Sequence, residues 1–291
     1  MKLALGTAQF GLPYGVANQF GQVSKEETQR VLRSCQLAGI TTIDTASSYG
    51  TSEQILGSIG VDRFNIVSKL RALPADISDV NAWVESEFDQ SAKRLNVDVL
   101  HGFLLHSPKD LHTVEGKDLL AALVRLKHLG KVKKIGVSVY SPEELASLFL
   151  LYKFDIVQCP LNVVDQRLVK TGWLTKLEAY GVEVHARSSF LQGLLAMPRI
   201  KIPIKFGYWD YIWSPWFDWL KANGISGVEG CLSYSMSLSG VDKLVIGVDS
   251  EKQLNELVAI VRNPRLHDLS PMPEMSCDDD NLINPSNWVN L

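Results

Sequence analysis

Eight short apolar segments of strand length alternate along the chain with segments of helical character. They cover residues 2–8, 39–45, 64–70, 98–106, 133–139, 154–160, 182–188 and 242–248. Most are rich in Val and Ile and bounded by Gly, Asp or Pro, which is typical of buried parallel strands. Strands separated by helices form βα units and a parallel sheet. Eight such units favour a closed (β/α)8 barrel, the TIM-barrel architecture of the α/β class.

Five of the intervening segments carry clear helix signals. They cover residues 24–39, 79–96, 141–152, 214–224 and 249–261. Ser24, with Glu27 three residues later, predicts an N-terminal capping box, and Gly39 predicts the end of that helix. The Ser-Pro pairs at 141–142 and 214–215 each predict an N-cap followed by proline at the first helical position.

An open, doubly wound sheet is the alternative to a barrel. It would be supported by a G-x-G-x-x-G turn after the first strand, but GTAQFGLPYG lacks that spacing and also lacks the Gly-Lys-Ser/Thr of a phosphate-binding P-loop. No change of composition marks a linker. We therefore expect residues 1–291 to form a single barrel, with a long loop at 190–214 after the seventh strand and a C-terminal tail at 263–291.

Composition narrows the functional classes. The net charge is −3, so no basic field suggests a nucleic-acid partner. The four cysteines lie far apart and form no C-x-x-C pair, which argues against a disulfide scaffold or a zinc site. The apolar start MKLALGTAQFG is too short for a signal peptide, and Lys153 interrupts the longest apolar stretch before it reaches membrane-spanning length. We expect a cytoplasmic protein with no membrane partner.

Four polar side chains fall on one rim of the predicted barrel. Asp44 ends the second strand, Lys69 the third and His106 the fourth, and Tyr49 lies in the loop after the second strand. Catalytic groups of such barrels sit at the carboxyl ends of the strands. Each residue alone has a structural interpretation, as a helix cap, a solvated charge, a structural histidine or a loop anchor. Their convergence on neighbouring strands favours a catalytic site.

The same residues lie in motifs that resemble the aldo-keto reductase family. DTASSYGTSEQILG resembles its D-T-A-x-x-Y-G-x-(S/A)-E-x-x-L-G signature, and GKVKKIGVSVYSPEEL resembles its G-K-(I/V)-R-x-I-G-(V/I)-S-N-(F/Y) segment. LGTAQFG, VSKL, LLHSP and DIVQCPLNVVDQR are similar to further family segments in the expected order. The resemblance runs over nearly the whole chain. It implies an oxidoreductase that interconverts a small carbonyl compound and an alcohol, using NADP(H) or NAD(H).

The resemblance assigns a role to each residue on the rim. Tyr49 is expected to act as the general acid, although an ordinary tyrosine has a pKa near 10. Lys69, paired with Asp44, would favour the phenolate by placing positive charge next to it. His106 would orient the carbonyl oxygen with a hydrogen bond. Gly50 lets the chain turn after Tyr49, and Glu53 is expected to serve the start of the following helix.

The resemblance also implies a set of cofactor-binding residues, and the scattered histidines and cysteines predict no metal site. The cofactor-binding residues are Gly6, Thr7, Ser138, Gln158, Arg187, Ser188, Phe190, Gly193, Gly247, Asp249, Ser250 and Gln253.

Three positions depart from the family pattern. Val139 stands where the family often has the Asn that helps hold the nicotinamide carboxamide. Arg187 stands at the usually aromatic position that stacks on the nicotinamide; a guanidinium can stack there, but its charge would disfavour the oxidised ring. Near the last helix, the basic residues that can grip a 2′-phosphate are absent, and Asp249 adds a negative charge. The helix start at Ser250 and the charge of Lys252 act in the opposite direction, so we expect weak discrimination between the two cofactors.

Aromatic residues in the loop after the seventh strand allow two interpretations. Trp209, Tyr211 and Trp213 either line a substrate pocket or pack against the outer helices of the barrel. The tail INPSNWVNL resembles the terminal segment of the family, and it could close one side of the pocket.

Two other functions compete with carbonyl reduction. The first is a regulatory or redox-sensing barrel that binds the cofactor with little turnover. The departures from the family pattern at Val139 and Arg187 are consistent with this hypothesis. A metal-dependent hydrolase lacks ligands, because the six histidines are scattered with no pair on one face of an element. The natural substrate and the choice between a monomer and a small homo-oligomer are beyond the sequence.

Overall fold

The prediction of a closed barrel is confirmed. The computed structural model describes residues 1–15, 18 and 21–290, and only the backbone of His267 and Asn290. Eight strands close in chain order into a barrel, and every neighbouring pair, including the first and the last strand, is parallel. The strands are β1 (Leu3–Gly6), β2 (Thr42–Asp44), β3 (Asn65–Leu70), β4 (Leu100–Leu105), β5 (Val132–Ser138), β6 (Ile156–Pro160), β7 (Glu183–Arg187) and β8 (Lys243–Gly247).

Helices connect the strands and surround the barrel. The α-helices are α1 (Ala8–Gly11), α2 (Lys25–Ala38), α3 (Ser52–Ile59), α4 (Val80–Leu95), α5 (Gly116–His128), α6 (Glu143–Leu151), α7 (Arg167–Lys170), α8 (Trp173–Ala179), α9 (Asp210–Asn223), α10 (Gly227–Ser237), α11 (Glu251–Val261) and α12 (Asp280–Ile283). Turns of 3₁₀-helix lie at Pro108–His112, Leu191–Ala196, Arg199–Lys201, Ile204–Trp209, Pro264–His267 and Pro285–Asn290.

The signals of the first predicted helix are mostly confirmed. The Ser24 hydroxyl accepts from the backbone N–H of Glu27, and Gly39 ends the helix in the left-handed conformation. The capping box itself is incomplete. The carboxylate of Glu27 accepts a hydrogen bond of 2.6 Å from the backbone N–H of Glu251, at the start of α11. A long-range partner has therefore replaced the local one.

Both Ser-Pro predictions are wrong in detail. At the first site Pro142 occupies the N-cap position, and the helix begins at Glu143. At the second, α9 begins four residues before Ser214, and Pro215 lies inside the helix. A proline there removes one backbone hydrogen bond. Burial of Ile212 and Trp213 explains the earlier start, because both apolar side chains need that turn to face the core.

A second core lies beside the barrel. It joins the segments after β6 and β7, helices α9 and α10 and the C-terminal tail. The N–H of Cys277 in the tail donates to the carbonyl oxygen of Val164 in the segment after β6. The long segment 190–214 holds three 3₁₀-helices and the start of α9. The fully or nearly buried members of this second core are Val163, Val164, Leu191, Leu194, Leu195, Phe206, Trp209, Ile212, Trp213, Trp216, Trp219, Leu220, Cys231, Met275, Cys277, Leu282, Ile283 and Trp288. Leu291, the last residue of the predicted tail, lies outside the described residues.

The four cysteines are all free and buried. Within the described part of the chain, none of the helices combines the length and the apolar character needed to cross a membrane.

Candidate active site

The structure brings the four predicted catalytic residues together at the carboxyl ends of the strands. The Lys69 ammonium is at the centre: Nζ lies 2.7 Å from Asp44 Oδ2 and 3.3 Å from the Tyr49 hydroxyl oxygen. It also donates to the backbone carbonyl of Thr45 at 3.0 Å. These contacts use all three donors of the ammonium group, so its position is set by the ends of β2 and β3.

Lys69 carries a buried positive charge. Its side chain is 0% exposed, and that of Asp44 is 4% exposed. Burial acts to lower the pKa of Lys69, but the charge of Asp44 and the contact with Tyr49 outweigh it, so the pKa is raised. The ammonium form therefore stays next to the phenol.

Two glycines hold the backbone of Tyr49 in place. Gly50 has φ = 54°, in the left-handed region, which confirms that the chain turns there. A Cβ at Gly50 would overlap the carbonyl oxygen of Gly11, and a Cβ at Gly11 would overlap the carbonyl oxygen of Tyr49. The loop after β2 thus packs directly against α1, and only glycine leaves room for this approach.

The imidazole of His106 lies against the Tyr49 ring. The two ring centroids are 6.0 Å apart in an edge-to-face arrangement. Burial, together with the positive charges of Lys69 and Arg187, lowers the pKa of His106 to about 4. Its Nδ1 lies 3.1 Å from the Ser48 hydroxyl. At neutral pH the ring is uncharged, and a Ser48 hydroxyl that donates to Nδ1 leaves the proton on Nε2.

Ser138 and Gln158 extend the polar network from Asp44. The Gln158 amide donates to Asp44 Oδ1 at 2.7 Å and accepts from the Ser138 hydroxyl at 3.2 Å. Both side chains are buried. Val139, which follows Ser138, points into the apolar core and is 0% exposed. Val139 therefore offers no polar group beside Ser138 and Gln158.

Arg187 is held at the rim by neighbours that the sequence did not suggest. Its guanidinium lies 4.7 Å from the centre of the Tyr140 ring, in a cation–π contact. It also donates to the carbonyl oxygen of Val139 at 3.1 Å. Its positive charge acts to lower the pKa values of His106 and Tyr14.

Tyr14 is a residue that sequence reasoning missed. It belongs to the loop after β1, and its hydroxyl accepts from the Gln192 amide of the loop after β7 at 3.4 Å. Burial and the nearby Tyr49 raise the pKa of Tyr14, while Arg187 acts in the opposite direction. The tyrosine in GLPYG is the only local signal for this residue. Its partner Gln192 lies 178 residues later in the chain, so the contact could not be inferred from neighbouring residues.

The predicted cofactor loop after β7 has an unusual backbone. Ser188, Leu191 and Gln192 all have positive φ, of 60°, 46° and 51°, and Gly193 has φ = 97°. Non-glycine residues in this region are uncommon and concentrate at binding sites. The buried hydroxyl of Ser189 has no hydrogen-bond partner. Phe190 packs between the barrel core and the second core.

Gly6 and Gly247 lie side by side at the ends of β1 and β8. The space beside Gly247 is filled by the amide of Gln9, which a Cβ at Gly247 would overlap. Thr7 is buried and donates to the carbonyl oxygen of Asp44 at 3.0 Å. The absence of a side chain at Gly247 therefore lets the Gln9 amide lie against the backbone at the end of β8.

The remaining predicted cofactor residues form the start of α11. The Ser250 hydroxyl accepts from the N–H of Gln253, and the Gln253 amide oxygen accepts from the N–H of Asp249 at 2.8 Å. Asp249 Oδ1 is buried without a hydrogen-bond partner, and burial raises the pKa of Asp249.

Glu53 has a different role from the predicted one. Although it lies in the first turn of α3, it is buried and receives hydrogen bonds from the Ser68 hydroxyl at 2.6 Å and from Arg94 Nε at 2.7 Å. Ser68 precedes Lys69 in β3, so Glu53 ties the helix after Tyr49 to the strand that carries Lys69.

The tryptophans of the aromatic loop pack in the protein interior and do not line a substrate pocket. Trp209 and Trp213 are nearly fully buried in the second core. Their indole N–H groups donate to Asp279 and to the carbonyl of Phe206. Tyr211 is largely exposed, and its hydroxyl lies 3.7 Å from the Cys277 sulfur. The second core, and not a substrate pocket, explains why this segment is rich in tryptophan.

Within the described residues, no group of three His, Cys, Asp or Glu side chains is arranged to hold a metal ion. The chemistry available at the rim is that of a buried ammonium, a phenol and a neutral imidazole.

Comparison with known proteins finds relatives named as reductases. An aldo-keto reductase of Mycobacterium sp. (strain KMS) is 32% identical over 189 residues, 62% of this chain and 65% of the relative. An L-glyceraldehyde 3-phosphate reductase of Escherichia coli O157:H7 is 28% identical over 63% of this chain and 59% of its own. The matches thus span less than two thirds of these relatives.

A solved structure shows the same fold. The holo form of an aldo-keto reductase from Bacillus halodurans superposes with a TM-score of 0.69, over 94% of this chain and 93% of its own, at 17% identity. The family model described as the aldo/keto reductase family matches residues 2–269. The resemblance seen in the sequence is thereby confirmed, and the chain belongs to the aldo/keto reductase family.

Proposed function

We propose that this protein reduces an aldehyde or ketone to an alcohol, reversibly, with NADPH or NADH and with Tyr49 as the general acid. The observation that carries the proposal is the contact of 3.3 Å between the Tyr49 hydroxyl and the buried Lys69 ammonium, itself 2.7 Å from Asp44. A phenol beside a desolvated positive charge is suited to give up and take back a proton.

The rim has the chemistry to hold a nicotinamide cofactor. Ser138 and Gln158 present a hydroxyl and an amide next to Asp44, where a carboxamide would find donors and acceptors. The unpartnered hydroxyl of Ser189 and the left-handed backbone around it suit a phosphate group of the cofactor. The unpartnered Asp249 Oδ1 suits a ribose hydroxyl. We assign these residues, with Gly6, Ser188, Gly193 and Gly247, to cofactor binding.

A bound reduced nicotinamide would supply the hydride, because no protein side chain can. Tyr49 donates its proton to the carbonyl oxygen as negative charge develops there, so that the π bond of the carbonyl is replaced by one C–H and one O–H bond while the C–O single bond remains. Lys69 stabilises the phenolate that Tyr49 becomes. Asp44 holds Lys69 in place and balances its charge. In the reverse direction the phenolate accepts the proton of the alcohol.

His106 orients the substrate in this scheme. The ring is neutral at physiological pH because its pKa is about 4. With Nδ1 engaged by Ser48, Nε2 can donate a hydrogen bond to the carbonyl oxygen beside Tyr49. A neutral donor can polarise the carbonyl without competing with Tyr49 for the role of acid.

The names of the relatives favour an aldehyde as substrate. The Escherichia coli relative is named for the reduction of L-glyceraldehyde 3-phosphate. Aldehydes are also more reactive to hydride than ketones, so a panel of short aldehydes is the first choice of probe.

The test is steady-state reduction of that panel with NADH and with NADPH, in the wild type and in Tyr49→Phe. We expect turnover in the wild type and a loss of roughly a hundredfold or more in Tyr49→Phe, as for removal of a general acid. Cofactor binding, followed by fluorescence quenching, should survive the substitution because the phenol is not assigned to cofactor contacts. Tyr49→Phe that keeps more than half of the wild-type rate would contradict the role of Tyr49.

A regulatory or redox-sensing barrel is the second candidate. Two features favour it. The guanidinium of Arg187 contacts the Tyr140 ring. Val139 is buried and has no polar group with which to bind the carboxamide. Such a protein would bind the cofactor with normal affinity but would reduce no member of the aldehyde panel. All four catalytic residues are in contact, which is why we rank the enzyme first.

We also propose a reducing compartment, the cytoplasm, because four buried thiols stay unpaired. The choice between a monomer and a small homo-oligomer stays a prediction, to be decided by light scattering.

A further inference from the structure

The loop between β8 and α11 carries more negative charge than a phosphate site should. In (β/α)8 barrels a phosphate is frequently bound by the loops after strands 7 and 8 together with a helix N-terminus. Here that region consists of Asp249, Ser250 and the first turn of α11, with α2 packed beside it.

The helix N-terminus is already occupied by a carboxylate. Glu27 of α2 accepts the N–H of Glu251, the first residue of α11, at 2.6 Å. A phosphate bound at this end of the helix would have to displace a side chain of the same charge. Because α2 and α11 pack together, displacing Glu27 would also disturb their contact.

Two further amides near the start of α11 have side-chain partners. The N–H of Asp249 donates to Gln253 Oε1, and the N–H of Gln253 donates to the Ser250 hydroxyl. The three bonds together mean that a phosphate would compete with Glu27, Gln253 and Ser250 for backbone donors.

The nearby cations each have a carboxylate neighbour. Arg30 forms an ion pair with Glu27. Lys252 has a side chain that is 86% exposed and lies 3.9 Å from Glu256. Of the two features that the sequence set against Asp249, the helix start is therefore weaker than expected, and Lys252 is a solvent-exposed charge that contributes little to binding an anion.

One carboxylate oxygen of Asp249, the buried Oδ1, lacks a donor. Burial raises the pKa of the carboxyl, while the side chain of Gln253 lies close enough to act against this effect. A carboxylate in this situation is stabilised by hydroxyl donors and destabilised by a second anion. In Rossmann folds a carboxylate that accepts from the ribose 2′-hydroxyl favours NAD over NADP, and the same chemistry applies to a carboxylate at this rim.

We propose that this protein selects a dinucleotide with a free 2′-hydroxyl, NAD(H), and that Asp249 and Glu27 together exclude the 2′-phosphate of NADP(H). Asp249 accepts from the ribose hydroxyls, and Glu27 fills the anion position at the start of α11. This inference rests on the proposed function for the identity of the cofactor, and it replaces the weak discrimination expected from the sequence with a clear preference.

The test measures binding of adenosine fragments and not turnover. Dissociation constants are measured by isothermal titration calorimetry for 5′-AMP and for adenosine 2′,5′-bisphosphate, and then for NADH and NADPH, at one ionic strength. In the wild type we expect 5′-AMP to bind at least about tenfold more tightly than the bisphosphate, and NADH more tightly than NADPH by the same factor. The reason is the repulsion between the 2′-phosphate and the carboxylates of Asp249 and Glu27. Tighter binding of the bisphosphate or of NADPH would overturn the proposal.

Two substitutions test the contributions of the Glu27 and Asp249 carboxylates separately. Glu27→Gln removes the charge while keeping an acceptor for the N–H of Glu251, so binding of the bisphosphate should improve at least about fivefold with 5′-AMP unchanged. Asp249→Asn should improve the bisphosphate and also weaken 5′-AMP, because the ribose loses its charged acceptor. Unchanged ratios in both variants would overturn the assignment.

Glu26→Gln is the matched control. Glu26 is an exposed neighbour in the same first turn of α2, so its substitution changes the net charge equally without touching α11. The ratio of the two dissociation constants should stay at its wild-type value. An equal shift in Glu26→Gln and Glu27→Gln would show a general charge effect and would contradict the specific role of Glu27.

The proposed function and this inference fail in different ways. An NADH-binding protein that reduces no aldehyde would refute the function and leave the preference intact. A protein that reduces aldehydes with NADPH and binds adenosine 2′,5′-bisphosphate more tightly than 5′-AMP would refute the preference and leave the function intact.

Discussion

The carbonyl oxygen of Tyr49 occupies the space in which a side chain on Gly11 would lie. A Cβ added at Gly11 would overlap that oxygen and would come within 2.6 Å of the backbone N of Ser52. Gly11 ends α1, and Tyr49 precedes α3, so the loop that presents the phenol rests on a glycine from the loop after β1. The position of the Tyr49 hydroxyl beside Lys69 depends on this contact.

Gly11→Ala is therefore expected to lower turnover without changing any catalytic side chain. The added methyl must push the Tyr49 loop outward, and a displacement on the order of 1 Å in a catalytic group can cost about a hundredfold in rate. We expect a loss of at least tenfold in kcat. Gly207→Ala is the control, because a Cβ there has open space around it. Equal kcat in Gly11→Ala and Gly207→Ala would show that the contact is not needed.

Lys69→Met and Asp44→Asn should both impair turnover, Lys69→Met more strongly. The Lys69 charge acts on the phenol directly, whereas Asp44 acts by holding Lys69. The double variant should be little worse than Lys69→Met, because residues that act as one unit give non-additive losses. The measurement is kcat/KM for one aldehyde across pH, in all four proteins. Losses that add in the double variant would show that the two residues work separately.

His106 should make the folded protein sensitive to acid. Its folded pKa of about 4 lies below the ordinary 6.5. Below 6.5 the unfolded chain takes up a proton that the folded chain refuses, so the free energy of unfolding falls as the pH drops toward about 4. Between pH 7 and 4.5 the wild type should lose about 2 kcal/mol more than His106→Gln.

Urea unfolding of the wild type and of His106→Gln at the two pH values measures this difference. Both proteins will lose stability from their carboxylates, so only the difference between them reports on His106. The same loss in both would mean that His106 does not resist protonation in the folded state.

Arg187→Tyr should bring the affinities for oxidised and reduced cofactor closer together. The oxidised nicotinamide is cationic, and a guanidinium at the rim disfavours it. The contacts with Tyr140 and Val139 keep the charge in place without neutralising it. Dissociation constants for both forms, measured by fluorescence, give the ratio. An unchanged ratio of the two dissociation constants would show that Arg187 does not act on the nicotinamide ring.

The convergence of Asp44, Lys69 and His106 was predictable from the sequence because the carboxyl ends of parallel strands meet at one rim of the barrel. Once eight strands were counted, Asp44, Lys69 and His106 had to face one rim. The role of Glu53 was not predictable in this way. Its partners Ser68 and Arg94 come from β3 and α4, and nothing next to Glu53 in the sequence indicates them.

The hydrophobic periodicity and the order of the motifs in the sequence determined the strands, the barrel and the residues at its rim. Each strand is encoded by a local pattern, and closing the parallel sheet brings the ends of all the strands to one rim. Tertiary structure alone decided what depends on contacts between distant segments. Trp209 and Trp213 became part of the second core because the C-terminal tail covers them. Glu27, expected to complete a local cap, instead closes the N-terminus of α11, because a buried N–H takes the nearest acceptor in space and not in sequence.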